Sequence, residues 1–92
     1  MPYIKQEQRK VFKPILKNLR HKWRNASPGQ LAYLLWNLLI IYQEMCEETY
    51  SHYAEMLGVL ESVKLEFYNR FIQPYEQKKR QENSDVSIKD LF

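Results

Sequence analysis

Ninety-two residues, 45% of them apolar, suffice for one compact domain and not for two. Two Gly and four Pro argue against a turn-rich β-sandwich, and the single cysteine, Cys46, excludes an intrachain disulfide or a thiolate zinc cluster and fits a reducing compartment. The net charge of +3 conceals an asymmetry: residues 1–30 hold eight Lys or Arg against one Glu (+7), residues 31–63 five Glu and no base (−5), and residues 64–92 six bases and five acids (+1).

From this size, burial of roughly 60–65% of the unfolded chain's surface is expected. Tyr3 and Ile4 are apolar anchors ahead of a polar stretch, Lys5–Lys10, long enough for a helical turn or two. Proline is favoured at the first position of a helix and costs about 3 kcal/mol inside one, so the first main helix is expected to begin at Lys13 or Pro14 and run to about Arg24. Ile15, Leu16, Leu19 and Trp23 form its apolar stripe, with Lys13, Lys17, Arg20 and Arg24 on the other side. Ser27-Pro28-Gly29-Gln30 is a helix start, with Ser27 as cap and Gln30 completing a capping box.

The second helix is expected over Pro28–Cys46. Its main apolar face is Leu31, Leu34, Leu35, Leu38, Leu39, Tyr42 and Met45, while Tyr33, Trp36 and Ile40 lie opposite. A helix apolar on two sides is central in its fold or touches another chain, and Tyr33, Trp36 and Ile40 are the expected interface of a homo-oligomer. Thr49 or Ser51 caps a third helix that reaches at least Ile72, with Tyr53, Met56, Leu57, Leu60, Val63, Phe67 and Phe71 as its core stripe. Pro74 kinks or restarts it, Asn83-Ser84-Asp85 stops it, and Val86–Phe92 reads as a tail. The expected fold is therefore all-α, a small bundle of three main helices. One domain spans residues 1–86 with an N-terminal arm (1–12), followed by a tail (87–92). The apolar run Leu31–Tyr42 is well short of the ~20 residues that cross a bilayer, and no export leader is visible, so the cytoplasm is the expected location.

Four pieces of the chain together resemble a family of short proteins of unassigned function from phages, archaeal viruses and prophages. They are the opening Met-Pro-Tyr-Ile; Pro28-Gly29-Gln30-Leu31 with Tyr33-Leu34; Gly58-Val59-Leu60-Glu61-x-x-Lys64-Leu65-Glu66-Phe67-Tyr68-Asn69-Arg70; and Pro74-Tyr75-Glu76-x-Lys78-Lys79 with Glu82-Asn83-x-Asp85-Val86. Two positions depart from that family: Asn69 where it commonly carries a first of two arginines, and Ser84 where it favours Gly. The resemblance implies a viral accessory protein in the cytoplasm of a host cell, and implies no reaction or cofactor.

Glu61, Lys64 and Tyr68 fall at the edge of the third helix's core stripe, a seam where a carboxylate and an amine are costly unless paired or bound. Glu66 and Arg70, four apart, are expected to pair on the solvated side, with the Arg70 fork suited to phosphate or carboxylate. The leading expectation is non-catalytic capture of a host-derived target in a counter-defence role. That target is a nucleotide-type anion or a host defence or replication enzyme. For the anion, the expected contacts are Lys5, Arg9, Glu61, Lys64, Tyr68, Arg70 and Tyr75, with Lys5 and Arg9 able to close the site across a subunit boundary. No catalytic set, metal site or cofactor is expected on this reading. One rival is a Mg²⁺-dependent nucleotide pyrophosphatase using Glu44, Glu47 and Glu61. Another is a nucleic-acid-binding accessory protein using the basic stripe of the first helix. His21, His52 and Cys46 lack partners at the spacing that nucleophilic or metal chemistry needs.

Overall fold

The computed structural model of the protein describes residues 3–83. The chain is all-α, with three helices and no strand among the described residues: α1 (Gln6–Lys22), α2 (Pro28–Glu44), and a long third helix made of α3 (Tyr50–Phe67), a π-helical turn (Tyr68–Ile72) and α4 (Gln73–Asn83). The expected stop after Asn83 and the tail Val86–Phe92 lie outside the described residues.

α1 begins seven or eight residues before its expected start and carries Pro14 in its interior. Its start is secured locally: the Lys5 backbone N–H donates to Gln8 Oε1 at 3.2 Å, and Glu7 stands in the first turn against the helix dipole. Arg20, His21 and Lys22 complement the dipole at the other end. Pro14 deprives the Lys10 carbonyl of its donor, but α1 is exposed over its whole length, so solvent reaches that group and the helix runs through. Residues 6–12 are thus part of α1 rather than of an arm.

The other helix starts follow their expected chemistry. Ser27 Oγ accepts from the Gln30 N–H and Thr49 Oγ1 from the His52 N–H, both at 3.2 Å. Gln30 does not close a capping box: its Oε1 accepts from Trp23 Nε1 at 2.8 Å, which fixes the α1–α2 elbow instead. Asn25 takes φ 54° in that elbow, a backbone conformation asparagine tolerates better than most residues. The third helix is interrupted at the expected place: it meets Pro74 with a π turn and continues instead of stopping. The Gln73 N–H bonds back to the Tyr68 carbonyl, five residues away, and the extra residue relieves the clash between a proline ring and the carbonyl four residues before it.

Packing departs furthest from expectation. No described residue is buried. The expected core stripe of the third helix is open, with Leu57 69% and Phe71 64% exposed; only Met56 and Leu60 of that stripe are half-buried. Helices α2 and α3 form a loose hairpin around Leu39, Met56 and Val59, tied at its turn end by Gln43 Nε2 donating to the Tyr53 hydroxyl at 3.4 Å. α1 stands apart from this hairpin. The described residues therefore have the helices of a bundle without its core.

Candidate functional site

The sequence brings together one cluster of polar groups distant in the chain, where the N-terminal segment meets the third helix. Tyr3, ahead of α1, donates its hydroxyl proton to Glu66 Oε1 at 2.8 Å, and Arg70 Nη2 donates to the same hydroxyl oxygen at 3.1 Å. Glu66 and Arg70, one helical turn apart on adjoining α3 and π-turn segments, form an ion pair through Arg70 Nε. The guanidinium also lies 5.9 Å from the centre of the Tyr3 ring, within cation–π range. Hydrogen bonding from Tyr3, then the charge of Arg70, hold the Glu66 carboxyl below the usual carboxylate range; the same contacts raise Arg70 above its ordinary value. The pair was expected on the solvated side, but the Glu66 side chain is only 27% exposed because Tyr3 lies over it.

This latch shapes an open groove of about 590 Å³. One wall is α1, where Arg9, Phe12, Lys13 and Leu16 recur at three- and four-residue steps and so share a face. The other wall is Tyr3, Ile4 and Arg70. Arg9 is oriented by its own chain, its Nε donating to the Ile4 carbonyl at 2.8 Å. Three cations, two aromatic rings and two aliphatic side chains thus surround a space in the size range of small-molecule sites.

Of the residues expected to bind a ligand, Arg9 and Arg70 meet in this groove within one chain. Lys5 is the N-cap of α1. Lys64 and Glu61 form an ion pair at 3.3 Å, their side chains 72% and 58% exposed, on open surface instead of a desolvated seam. The Tyr68 hydroxyl donates to Glu76 Oε2 at 3.1 Å, and that carboxylate raises the tyrosine above its ordinary pKa. Tyr75 sits on α4 with Lys79 Nζ 5.6 Å from its ring centre. The structure adds Tyr3, Phe12, Lys13 and Leu16 to the site. Their signals were the apolar anchor at Tyr3-Ile4 and the shared helical face, which becomes visible once α1 is extended back to Gln6.

Tyr33 and Trp36 project from α2 as exposed rings, and Ile40 is half-buried. Among the described residues no three His, Cys, Asp or Glu side chains form a group able to hold a metal ion, so Glu44, Glu47 and Glu61 are not brought together. Nor is any helix among them long and apolar enough to cross a membrane.

No curated protein and no solved structure matches the chain. A family model does, over residues 1–86, nearly the whole length and including both the Tyr3 segment and the Glu66–Arg70 pair. The chain belongs to the family described as a domain of unknown function, DUF6899.

Proposed function

We propose that this protein is a non-catalytic binding protein whose groove between Tyr3, α1 and the π turn takes an anionic ligand of nucleotide type, in the setting of a viral accessory protein acting against host defence. The observation that carries this reading is the convergence of Arg9, Lys13 and Arg70 with Tyr3 and Phe12 on one groove. Guanidinium forks match phosphate oxygens in pairs, and the aromatic rings offer stacking surface to a base.

The test is equilibrium binding of adenine and guanine mono- and dinucleotides to the purified protein, followed by native mass spectrometry for an adduct carried from cells. Arg9→Ala is expected to weaken nucleotide binding roughly tenfold to a hundredfold, the range of a lost charge-assisted hydrogen bond, with the helical signal unchanged. Lys64→Ala, on the open α3 surface, is expected to leave it unchanged. Loss of binding in Lys64→Ala with retention in Arg9→Ala moves the site to the α3 face and ends the groove assignment. Absence of any nucleotide binding, with a host enzyme retained instead, ends the small-anion reading.

A further inference from the structure

We infer that a second copy of this chain covers the open apolar faces of α1 and α2, so that the protein folds as an intertwined homo-oligomer with no separate stable monomer. Area is the first argument. The chain exposes 9002 Å² where a compact protein of 11.3 kDa exposes about 5,700 Å². Even when the eleven residues outside 3–83 are allowed their full extended-chain surface of about 1,800 Å², the remaining 81 exceed a compact domain of their mass by about 1,900 Å². Twice that, about 3,800 Å² for a pair of chains, falls within the 2,000–5,000 Å² of obligate interfaces.

The character of that surface is the second argument. α2 is apolar around most of its circumference and carries one charge, Glu44, in seventeen residues. Trp36 is 63% and Leu38 62% exposed on it, a state that a largely apolar helix does not keep in water. α1 presents the complementary half-site on the side away from the groove: Val11 is 67% and Ile15 59% exposed, one turn apart and flanked by bases.

Charge says which faces match. Residues 1–30 carry +7 and residues 31–63 carry −5, so α1 of one chain is matched in sign to the α2–α3 hairpin of another. A short elbow at residues 23–27, carrying the Trp23–Gln30 hydrogen bond and the positive φ of Asn25, joins α1 to α2, and the space between α1 and its own third helix is an open groove rather than a packed interface. Packing the outer face of each α1 on the hairpin of the other copy, with its own Tyr3 latch kept, satisfies all three observations.

Light scattering after size exclusion, together with thermal melts over a hundredfold concentration range, tests this. A mass of two or more chains and a Tm that rises with concentration are expected. Trp36→Glu distinguishes the cases further. On a true monomer surface it leaves Tm nearly unchanged, whereas across an interface it splits the oligomer or abolishes cooperative folding. A mass of 11.3 kDa with a concentration-independent Tm overturns the inference. So does a chain without helical signal on its own, which would assign these faces to a different protein. The outcome is separable from that of the nucleotide test, because Trp36 lines none of the groove.

Discussion

The Tyr3 hydroxyl donates to Glu66 at 2.8 Å across 63 residues of sequence, and this contact, not helix packing, ties the N-terminal segment to the third helix. Glu66 is held below the ordinary carboxylate range in the folded chain, first by Tyr3 and then by Arg70. A carboxylate with a depressed folded pKa contributes stability above its ordinary, unfolded value of about 4.3, and loses it as pH falls through the folded value. The latch is therefore expected to be closed near neutrality and to open in acid. Side-chain NMR titration of Glu66 reads this directly. In Tyr3→Phe the midpoint is expected to move up toward the ordinary range, with part of the depression left because Arg70 remains. An unmoved midpoint removes Tyr3 from the account.

The π turn sets a second relationship. In a regular α-helix Tyr68 and Glu76, eight residues apart, would be rotated about 80° from one another. A π turn rotates less per residue, which brings the two to within about 20°, and the Tyr68 hydroxyl reaches Glu76 at 3.1 Å. Pro74→Ala removes the reason for the widening. We expect the turn to anneal to α-helix, the Tyr68–Glu76 bond to break, and the Tyr68 pKa to fall from its raised value toward the ordinary phenol range. Ultraviolet titration of Pro74→Ala against Tyr68→Phe and the parent chain measures it. A Tyr68 pKa unchanged by the proline substitution shows that the turn has another cause.

What could be read from the sequence was what is decided within a few residues. Ser27 and Thr49 cap their helices because a short hydroxyl side chain, extended at the helix entrance, finds an N–H three residues on. The start of α1 differs from the expected one because Pro14, which favours a helix start, here costs little inside an exposed helix stabilised by Gln8, Glu7 and the C-terminal bases. Of the site, the sequence offers Arg9 as a base of the N-terminal segment and Arg70 as the partner of Glu66 with a fork suited to anions. Their meeting depends on Tyr3 crossing to Glu66, a contact that carries no local pattern. Amphipathic stripes suggest a core because periodicity tells which face is apolar and says nothing of which molecule covers it.

The caps offer a stability prediction. Ser27→Ala and Thr49→Ala each remove the acceptor of one N–H at a helix start, and each is expected to cost about 1 kcal/mol, in the range of 0.5–2. Because the two sites share no partner, the double variant should cost close to the sum of the single ones. Chemical denaturation at fixed protein concentration gives all three values. A cost below ~0.3 kcal/mol for Ser27→Ala would mean that Pro28, fixed in a helical φ, defines this helix start without the hydroxyl.

The groove makes an electrostatic prediction that separates its charge from its shape. Lys13 lines it one helical turn from Arg9, yet takes no part in the Tyr3–Glu66–Arg70 latch. Lys13→Glu should then leave the Glu66 titration where it is, while reversing one of the three charges that face a bound anion. At low ionic strength nucleotide binding is expected to weaken by roughly fivefold to tenfold, with the difference shrinking as salt shortens the Debye length from about 30 Å to about 8 Å. Phe12→Leu keeps the charge and removes the ring, so it should weaken binding by a factor that salt does not change. If both variants respond to salt alike, the ring and the ammonium do not contact the ligand separately, and Phe12 acts only as a wall supporting α1.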